Sequence, residues 1–292
     1  MKNRLGRTEF MVYPVVYGGI IHKDESPETV QEYIDEAIEH GVNYFDIAPS
    51  YGSSQALMGP AIEKYRKDII LACKTTERSA EGAKRELLQS LEDLKTDHFD
   101  IYQFHSVTTL ADVDEIFGPG GAMETFRWAK DEGIIKYIGM SIHNEEAGMA
   151  ALDRYDFDTF LWPLNWALSL TSDWGKQIEY AAKEGDRGLL AMKVLAHRHW
   201  RENEQKTYEK SWNRPLNTSG DEVALGIAAM KYAIAHGAHT LVPPGDIDHF
   251  RFMLEHIDEV IANPLTDDDL ALLKREAELV RDETIFDPKE RA

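Results

Sequence analysis

The amino-acid sequence predicts an α/β fold: a (β/α)8 TIM barrel with an N-terminal β-hairpin and one extra C-terminal helix. Three observations carry that prediction. Eight short runs rich in β-branched or aromatic residues recur along the chain. Segments of helical period lie between them, and such alternation means parallel strands joined by right-handed crossovers. No Gly-rich dinucleotide fingerprint follows the first run, which argues against a doubly wound sheet. The 292 residues suit one barrel, a fold that takes about 250 residues or more. No Pro/Gly/Ser-rich linker divides them, so residues 1–292 read as a single domain.

The elements follow in order. The first 13 residues read as a hairpin turning at Gly6–Thr8 and placed to plug the bottom of the barrel. The eight runs are Val15–Ile20, Val42–Ile47, Ile69–Lys74, Phe99–His105, Lys136–Ser141, Phe157–Leu164, Gly188–Leu195 and Thr240–Val242. Between the first two, Ser26–His40 carries Val30, Tyr33, Ile34, Ala37 and Ile38 on one helical face. Ser26 reads as its N-cap, with Pro27 at N1 and Glu28 in the first turn, and Gly41 as its stop. Ser79–Leu94 and Asn144–Tyr155 read as further helices. Ser219–Glu222 reads as a capping box opening a helix that stops at Gly237. Thr266–Arg281 reads as the extra helix, capped by Thr266. Two long connections remain. Ser106–Gly121 ends in Phe117-Gly-Pro-Gly-Gly121 and is read as a flexible stretch over the substrate. His197–Gly220 is polar and aromatic-spiked, the kind of long loop that is usually functional or mobile.

Composition narrows the function classes. Lys plus Arg number 32 and Asp plus Glu 52, a formal net charge of −20. An acid excess argues against nucleic acid, whose binding draws on a Lys/Arg surplus, and against an anionic membrane surface. A single cysteine, Cys73, allows no internal disulfide and fits a reducing compartment. The opening MKNRLGRTEF lacks the apolar core of a signal peptide, and no run approaches the roughly 18 apolar residues of a membrane span. A soluble, cytoplasmic protein is expected. No His spacing suggests a metal site.

In such barrels the active site lies at the C-terminal ends of the strands. There the second strand ends Tyr44-Phe45-Asp46, with Tyr51 just beyond; the third run ends in Lys74 and the fourth in His105. Each alone has an ordinary structural explanation, but the four together make coherent chemistry. A phenol with a reference pKa of about 10 is a poor acid. A neighbouring ammonium favours its phenolate and is expected to lower that value. Asp46 would keep Lys74 charged and aimed, and His105 would donate a hydrogen bond to a carbonyl oxygen. The group polarises a carbonyl and protonates the developing alkoxide. It lacks an electron pair, which a nicotinamide would supply as hydride.

At these residues the sequence resembles the aldo-keto reductase family over nearly its whole length. Asn3–Thr8 is similar to the family's opening hairpin, and Gly41-Val-Asn-Tyr-Phe-Asp-Ile-Ala-Pro-Ser-Tyr-Gly52 to its longest signature. Glu132–Ser141 and Asp156–Asn165 are similar to its stretches into the fifth and sixth strands. The resemblance implies a cofactor extended across the C-terminal rim and a catalytic tetrad of Asp46, Tyr51, Lys74 and His105. It implies that Gly18, Gly19 and Ile20 line the catalytic end and that Ser141 binds the carboxamide. Residues after the seventh strand, among them Lys193 and Leu195, would follow the pyrophosphate. The start of the eighth helix, from Gly245 through Arg251 to Glu255, would hold the adenosine end.

The chain departs from the family at several positions. Ser141-Ile142-His143 replaces the usual Ser-Asn. Leu161 stands where a glutamine contacts the carboxamide, leaving Asn165 as a substitute. Met192 stands where a tyrosine stacks on the nicotinamide, and a thioether also covers a ring face. Gly245 occupies the place of a phosphate-binding lysine, whereas Arg251 keeps that of the arginine. A guanidinium grips phosphate bidentately, so NADP(H) is favoured, with NAD(H) the alternative. Asp246 would repel a 2′-phosphate if it pointed inward. Trp200 and Trp212 are candidates for a substrate wall; Trp162, Trp166 and Trp174 read as packing. Cys73 should face outward beside Lys74 and has no assigned redox role.

The first reading is hydride transfer between a nicotinamide and a small aldehyde, ketone or corresponding alcohol, with Tyr51 as general acid. The alternatives are a tightly held nicotinamide driving sugar chemistry without net redox change, and a non-catalytic cofactor-sensing module. The resemblance includes such a module, attached to potassium channels. Substrate identity and oligomeric state stay open.

Overall fold

A computed structural model describes residues 2–208 and 210–286. The chain begins with an antiparallel hairpin, β1 (Asn3–Arg4) and β2 (Met11–Val12), with Asn3 opposite Val12. Its turn requires glycine. Gly6 sits at φ +50°, and a Cβ there would lie 2.5 Å from the backbone of Arg187 and Asp186. Arg7 N donates to Asp186 O at 2.5 Å and the Tyr137 hydroxyl to Thr8 O at 2.9 Å. Leu5 is thereby carried, fully buried, into the barrel's interior cluster. The hairpin closes the N-terminal mouth, where the sequence placed it.

The barrel strands are β3 (Tyr17–Gly18), β4 (Tyr44–Asp46), β5 (Ile70–Thr75), β6 (Phe99–Val107), β7 (Ile135–Ile142), β8 (Thr159–Pro163) and β9 (Gly188–Met192). After a small antiparallel pair, β10 (Ala196–Arg198) and β11 (Arg214–Pro215), the last barrel strand is β12 (Thr240–Leu241). The eight pair in parallel, in sequence order. Leu241 N donates to Pro14 O and Val16 N to Leu241 O, both at 2.9 Å, which brings the last strand against the first. The seventh strand is shorter than its apolar run. It stops at Met192 because Lys193 turns into the left-handed region at φ +63°.

Period-two alternation separates two apolar compartments. Tyr44, Ile70, Ala72, Ile101, Leu161 and Leu190 fill the interior, while Phe45, Leu71, Cys73, Tyr102 and Phe104 face the helices. Each large apolar side chain so buried contributes about 1.5–3 kcal/mol. The helices are α1 (Pro27–Glu39), α2 (Ser54–Ile62), α3 (Ala80–Asp93), α4 (Leu110–Phe117), α5 (Ala122–Asp131), α6 (Glu145–Leu152), α7 (Trp166–Thr171), α8 (Lys176–Glu184), α9 (Val223–Ala235), α10 (Ile247–Ala262) and α11 (Asp267–Leu279). Ser26, Ser79 and Asn144 cap α1, α3 and α6 with their side chains. The extra helix α11 carries a full capping box between Thr266 and Asp269. Among the described residues no helix is long and apolar enough to cross a membrane.

Two sequence expectations fail here. The capping box at Ser219 does not form, because the Glu222 carboxylate is taken by Arg214 at 2.8 Å and by Asn217 N at 2.5 Å; α9 starts instead through a 3-10 turn. Ser106–Gly121 is no free flap. Thr109 caps α4, and the following turn docks on the start of α3 through Ala80 N to Gly120 O at 2.8 Å and Ala122 N to Arg78 O at 2.7 Å.

Candidate active site

Alternation points the last inward residues of β4, β5 and β6 into the C-terminal mouth. Lys74 lies in register with Gln103, one inward step beyond Ala72, which pairs with Asp46. Its long stem folds back over Asp46. The ammonium, fully buried, donates to the Asp46 carboxylate, to Ile47 O at 3.2 Å and to the Tyr51 hydroxyl at 3.3 Å. Gln103 Nε2 holds the other Asp46 oxygen at 3.1 Å. Tyr51 ends a 3-10 turn, Pro49–Tyr51. The Ser54 hydroxyl donates to Tyr51 O at 2.8 Å. Buried His22 bridges the Tyr17 hydroxyl and Ser54 O, both at 3.0 Å. The Tyr51 loop is thus tied to the turn that carries Gly19 and Ile20. The His105 ring meets the Tyr51 ring edge-on, centroids 5.9 Å apart, and its Nδ1 lies 3.4 Å from Ser50 Oγ.

The electrostatics assign the protonation states. Burial alone would depress the Lys74 ammonium, but Asp46 and Tyr51 outweigh it and hold its pKa above the ordinary value. Tyr51 corrects an expectation. Burial raises its pKa, and the pull of Lys74 does not overcome that, so the phenol rests protonated. Burial, reinforced by the charges of Lys74, His143 and Arg78, pushes His105 down to about 2, so it is a neutral imidazole at ordinary pH.

Burial likewise pushes His22 down to about 4. A histidine whose folded pKa lies below its unfolded value stabilises the fold fully above the unfolded value, about 6.5. That contribution is lost as pH falls toward 4, because the unfolded chain takes up a proton the folded one refuses. The urea midpoint is therefore expected to fall between pH 7 and about 4.5, and less steeply in His22→Gln. Equal slopes in the two proteins would remove His22 as a source of acid lability.

These groups floor a cavity of about 260 Å³. Asp46, Tyr51, His105, Ile20, Ser141, Met192, Lys193 and Gly245 all line it, with Lys74 beneath. Its lining suits a nicotinamide: the Ser141 hydroxyl as a polar contact, the apolar face of Met192, and the close seat of Gly245 on Ile20, where a Cβ would come within 3.2 Å. The other expected contacts lie elsewhere. Gly19 packs under the rim, where a Cβ would meet Ile47 Cδ1 at 2.0 Å. Asn165 is fully buried and spends its amide on Lys193 O at 3.0 Å and Ala196 O at 2.7 Å. Leu195 packs toward α9. Glu255 is exposed on α10. Arg251 forks onto Glu36 of α1 at 2.8 and 2.7 Å and does not line the cavity. Asp246 caps α10 and faces His249 Nδ1 at 2.7 Å.

Sequence reasoning missed several contributors. Gln103 was legible in principle, since it stands two residues before His105 on the same face. Arg78 clasps the end of β6 through His105 O at 2.9 Å and Ser106 O at 3.1 Å, anchored by Asp112 at 3.0 Å. Lys210, Ser211 and Asn213 reach the cavity from the long loop. Of the two candidate tryptophans, Trp212 lines it, whereas Trp200 braces the loop by donating to Ser211 O at 3.0 Å.

Comparison with known proteins agrees with this architecture. The model of the Aldo/keto reductase family matches residues 14–241. An oxidoreductase of Bacillus subtilis, YqkF, is 34 % identical over 154 residues, 48 % of this chain and 48 % of that protein. D-arabinose 1-dehydrogenase of Saccharomyces cerevisiae is 30 % identical over 148 residues, 44 % of this chain and 43 % of that one. These alignments span about half the length of the curated relatives. The holo form of an aldo-keto reductase from Bacillus halodurans superposes with a TM-score of 0.71 at 23 % identity, covering 94 % of this chain and 95 % of that one, a likeness of fold.

Proposed function

The chain belongs to the aldo/keto reductase family, and from that premise we propose that it reduces the carbonyl of a small aldehyde or ketone with a nicotinamide dinucleotide, Tyr51 giving the proton. One observation carries the reading: a protonated phenol, 3.3 Å from a buried ammonium and edge-on to a neutral imidazole, opens into a cavity. When bound, the nicotinamide supplies a hydride to the carbonyl carbon. The chain's residues handle position and charge. His105, neutral, donates a hydrogen bond to the carbonyl oxygen and polarises it. Tyr51 passes its phenolic proton to that oxygen as negative charge develops. The phenolate left behind is stabilised by Lys74, which Asp46 and Gln103 hold in place. Burial keeps His105 a neutral imidazole, whose N–H can donate a hydrogen bond but is far too weak an acid to protonate the alkoxide, so the acid is Tyr51.

Ser141, Met192, Ile20 and Gly245 would hold the nicotinamide half. For the adenosine half we favour NADP(H). Arg251 already makes a two-pronged pair with a carboxylate, the geometry a phosphate takes. It is half exposed, and such surface pairs are worth only about 0–1 kcal/mol, so a 2′-phosphate displaces Glu36 at little cost. Titration with NADPH and NADH, read by tryptophan quenching, is expected to show tighter NADPH binding. Arg251→Ala should weaken NADPH about tenfold or more and spare NADH. Equal losses for both, or no loss, would take Arg251 out of cofactor choice. We read the chain as one cytoplasmic domain whose partners are small molecules.

A further inference from the structure

Lys193, which the family resemblance places along the cofactor's pyrophosphate, lines the cavity and has no role yet on the substrate side. Lys74 is committed to Asp46, and Lys210 pairs with Glu25 at 2.7 Å. Among the described residues, no carboxylate lies within 4.0 Å of the Lys193 amine. Burial alone acts on that amine and pushes it down to about 8. Among the described residues, Asp46 is the one carboxylate lining the cavity, and it is occupied. A mouth short of free acids, in a chain of net charge −20, is arranged to admit an anion.

The backbone at Lys193 supports a dedicated role. Its φ of +63° lies in the left-handed region, which a non-glycine residue adopts only at a cost. The buried Asn165 amide maintains that turn by holding the carbonyls of Lys193 and Ala196. The turn aims the amine over the Trp212 ring, 4.7 Å from its centroid. Trp212 meets Phe286 at 5.7 Å and Phe286 meets His143 at 5.8 Å. The charge of His143 acts on His105. A run of aromatic contacts thus leads from the Lys193 amine to His143, which lines the same cavity as the imidazole proposed to bind the carbonyl.

We infer that Lys193 is an anion-selecting subsite for the substrate, and that the carbonyl compounds preferred here carry a carboxylate or phosphate beside an apolar body. This rests on the carbonyl-reduction reading above. A charge-assisted hydrogen bond of this kind is roughly twice as strong as a neutral one, enough to discriminate between an acid and its ester.

The test pairs para-carboxybenzaldehyde with its methyl ester at saturating cofactor. The acid is expected to exceed the ester in kcat/KM by about tenfold or more, roughly 1.4 kcal/mol, chiefly through KM. Lys193→Met should bring the ratio to about one, and Lys193→Arg should retain most of it. Without turnover, tryptophan quenching by benzoate against benzamide reads the same site: benzoate should bind more tightly, and Lys193→Met should erase the difference. Equal kcat/KM for acid and ester overturns the subsite and leaves carbonyl reduction standing. Reduction of neither aldehyde counts against the reaction, and the benzoate titration then decides the subsite alone. If Lys193→Met weakens NADPH binding and leaves the acid-to-ester ratio intact, the anion held is the dinucleotide's pyrophosphate and the inference falls.

Discussion

Tyr51→Phe is expected to lower kcat for carbonyl reduction by about 10²–10⁴-fold, the usual contribution of a positioned general acid. Phenylalanine keeps the edge-on contact with His105 and the turn from Pro49, so the cavity retains its shape. Lys74 loses only a 3.3 Å contact and keeps Asp46 and Ile47 O. Cofactor affinity, measured by tryptophan quenching, should stay within about twofold of wild type, under 0.5 kcal/mol. Loss of rate with binding intact is the signature of a proton donor that does not hold the cofactor. Full retention of rate would remove Tyr51 from the reaction and, with His105 neutral, leave this cavity without an acid.

Lys74→Met should damage both rate and fold. It strands the Asp46 carboxylate, 3 % exposed, with Gln103 as its remaining side-chain partner. Breaking a buried pair from one side costs about 3–5 kcal/mol, since the other charge stays behind unpaired. The pH dependence carries a definite sign. In the variant, burial raises the Asp46 pKa without Lys74 to oppose it. A carboxyl whose folded pKa exceeds its unfolded value favours the fold at low pH and loses that contribution as pH rises through the folded pKa. Lys74→Met should therefore be least stable at high pH, with a urea midpoint that falls between about pH 5 and 8 relative to wild type. The double variant with Asp46→Asn should recover most of the stability, because no charge is left buried. It should not recover activity, because the Tyr51 phenolate still lacks its cation; a deficit of about 10²-fold, roughly 2.7 kcal/mol, is expected. A single variant that unfolds at the wild-type midpoint would mean the pair is not formed in solution.

The legible parts of this molecule follow from short-range rules. A period of two told which residues of each strand enter the barrel. The ends of three consecutive runs then brought Asp46, Lys74 and His105 to one rim, with Tyr51 on the loop beyond. Ser26, Ser79, Asn144 and Thr266 announced helix starts because a cap acts on the backbone three residues away. The same local logic misled at Ser219, where Arg214 and Asn217 compete for the Glu222 carboxylate the box needs. It also misplaced the weight at Tyr51. The sequence shows that a lysine is near, whereas the depth of burial that outweighs it belongs to the packed fold.

By itself, then, the sequence determined the barrel, its plugged N-terminal mouth and the four residues on the floor of the opposite one. Tertiary structure decided the partners. Arg251 meets Glu36 across α10 and α1, Asn165 turns inward to brace Lys193, and Trp212 and Phe286 close a wall from distant parts of the chain. Secondary structure obeys periodicities set by neighbours a few residues away. Which charge stays unpaired depends on what the folded chain brings opposite it, and that is how Lys193 comes to face the cavity with no acid beside it among the described residues.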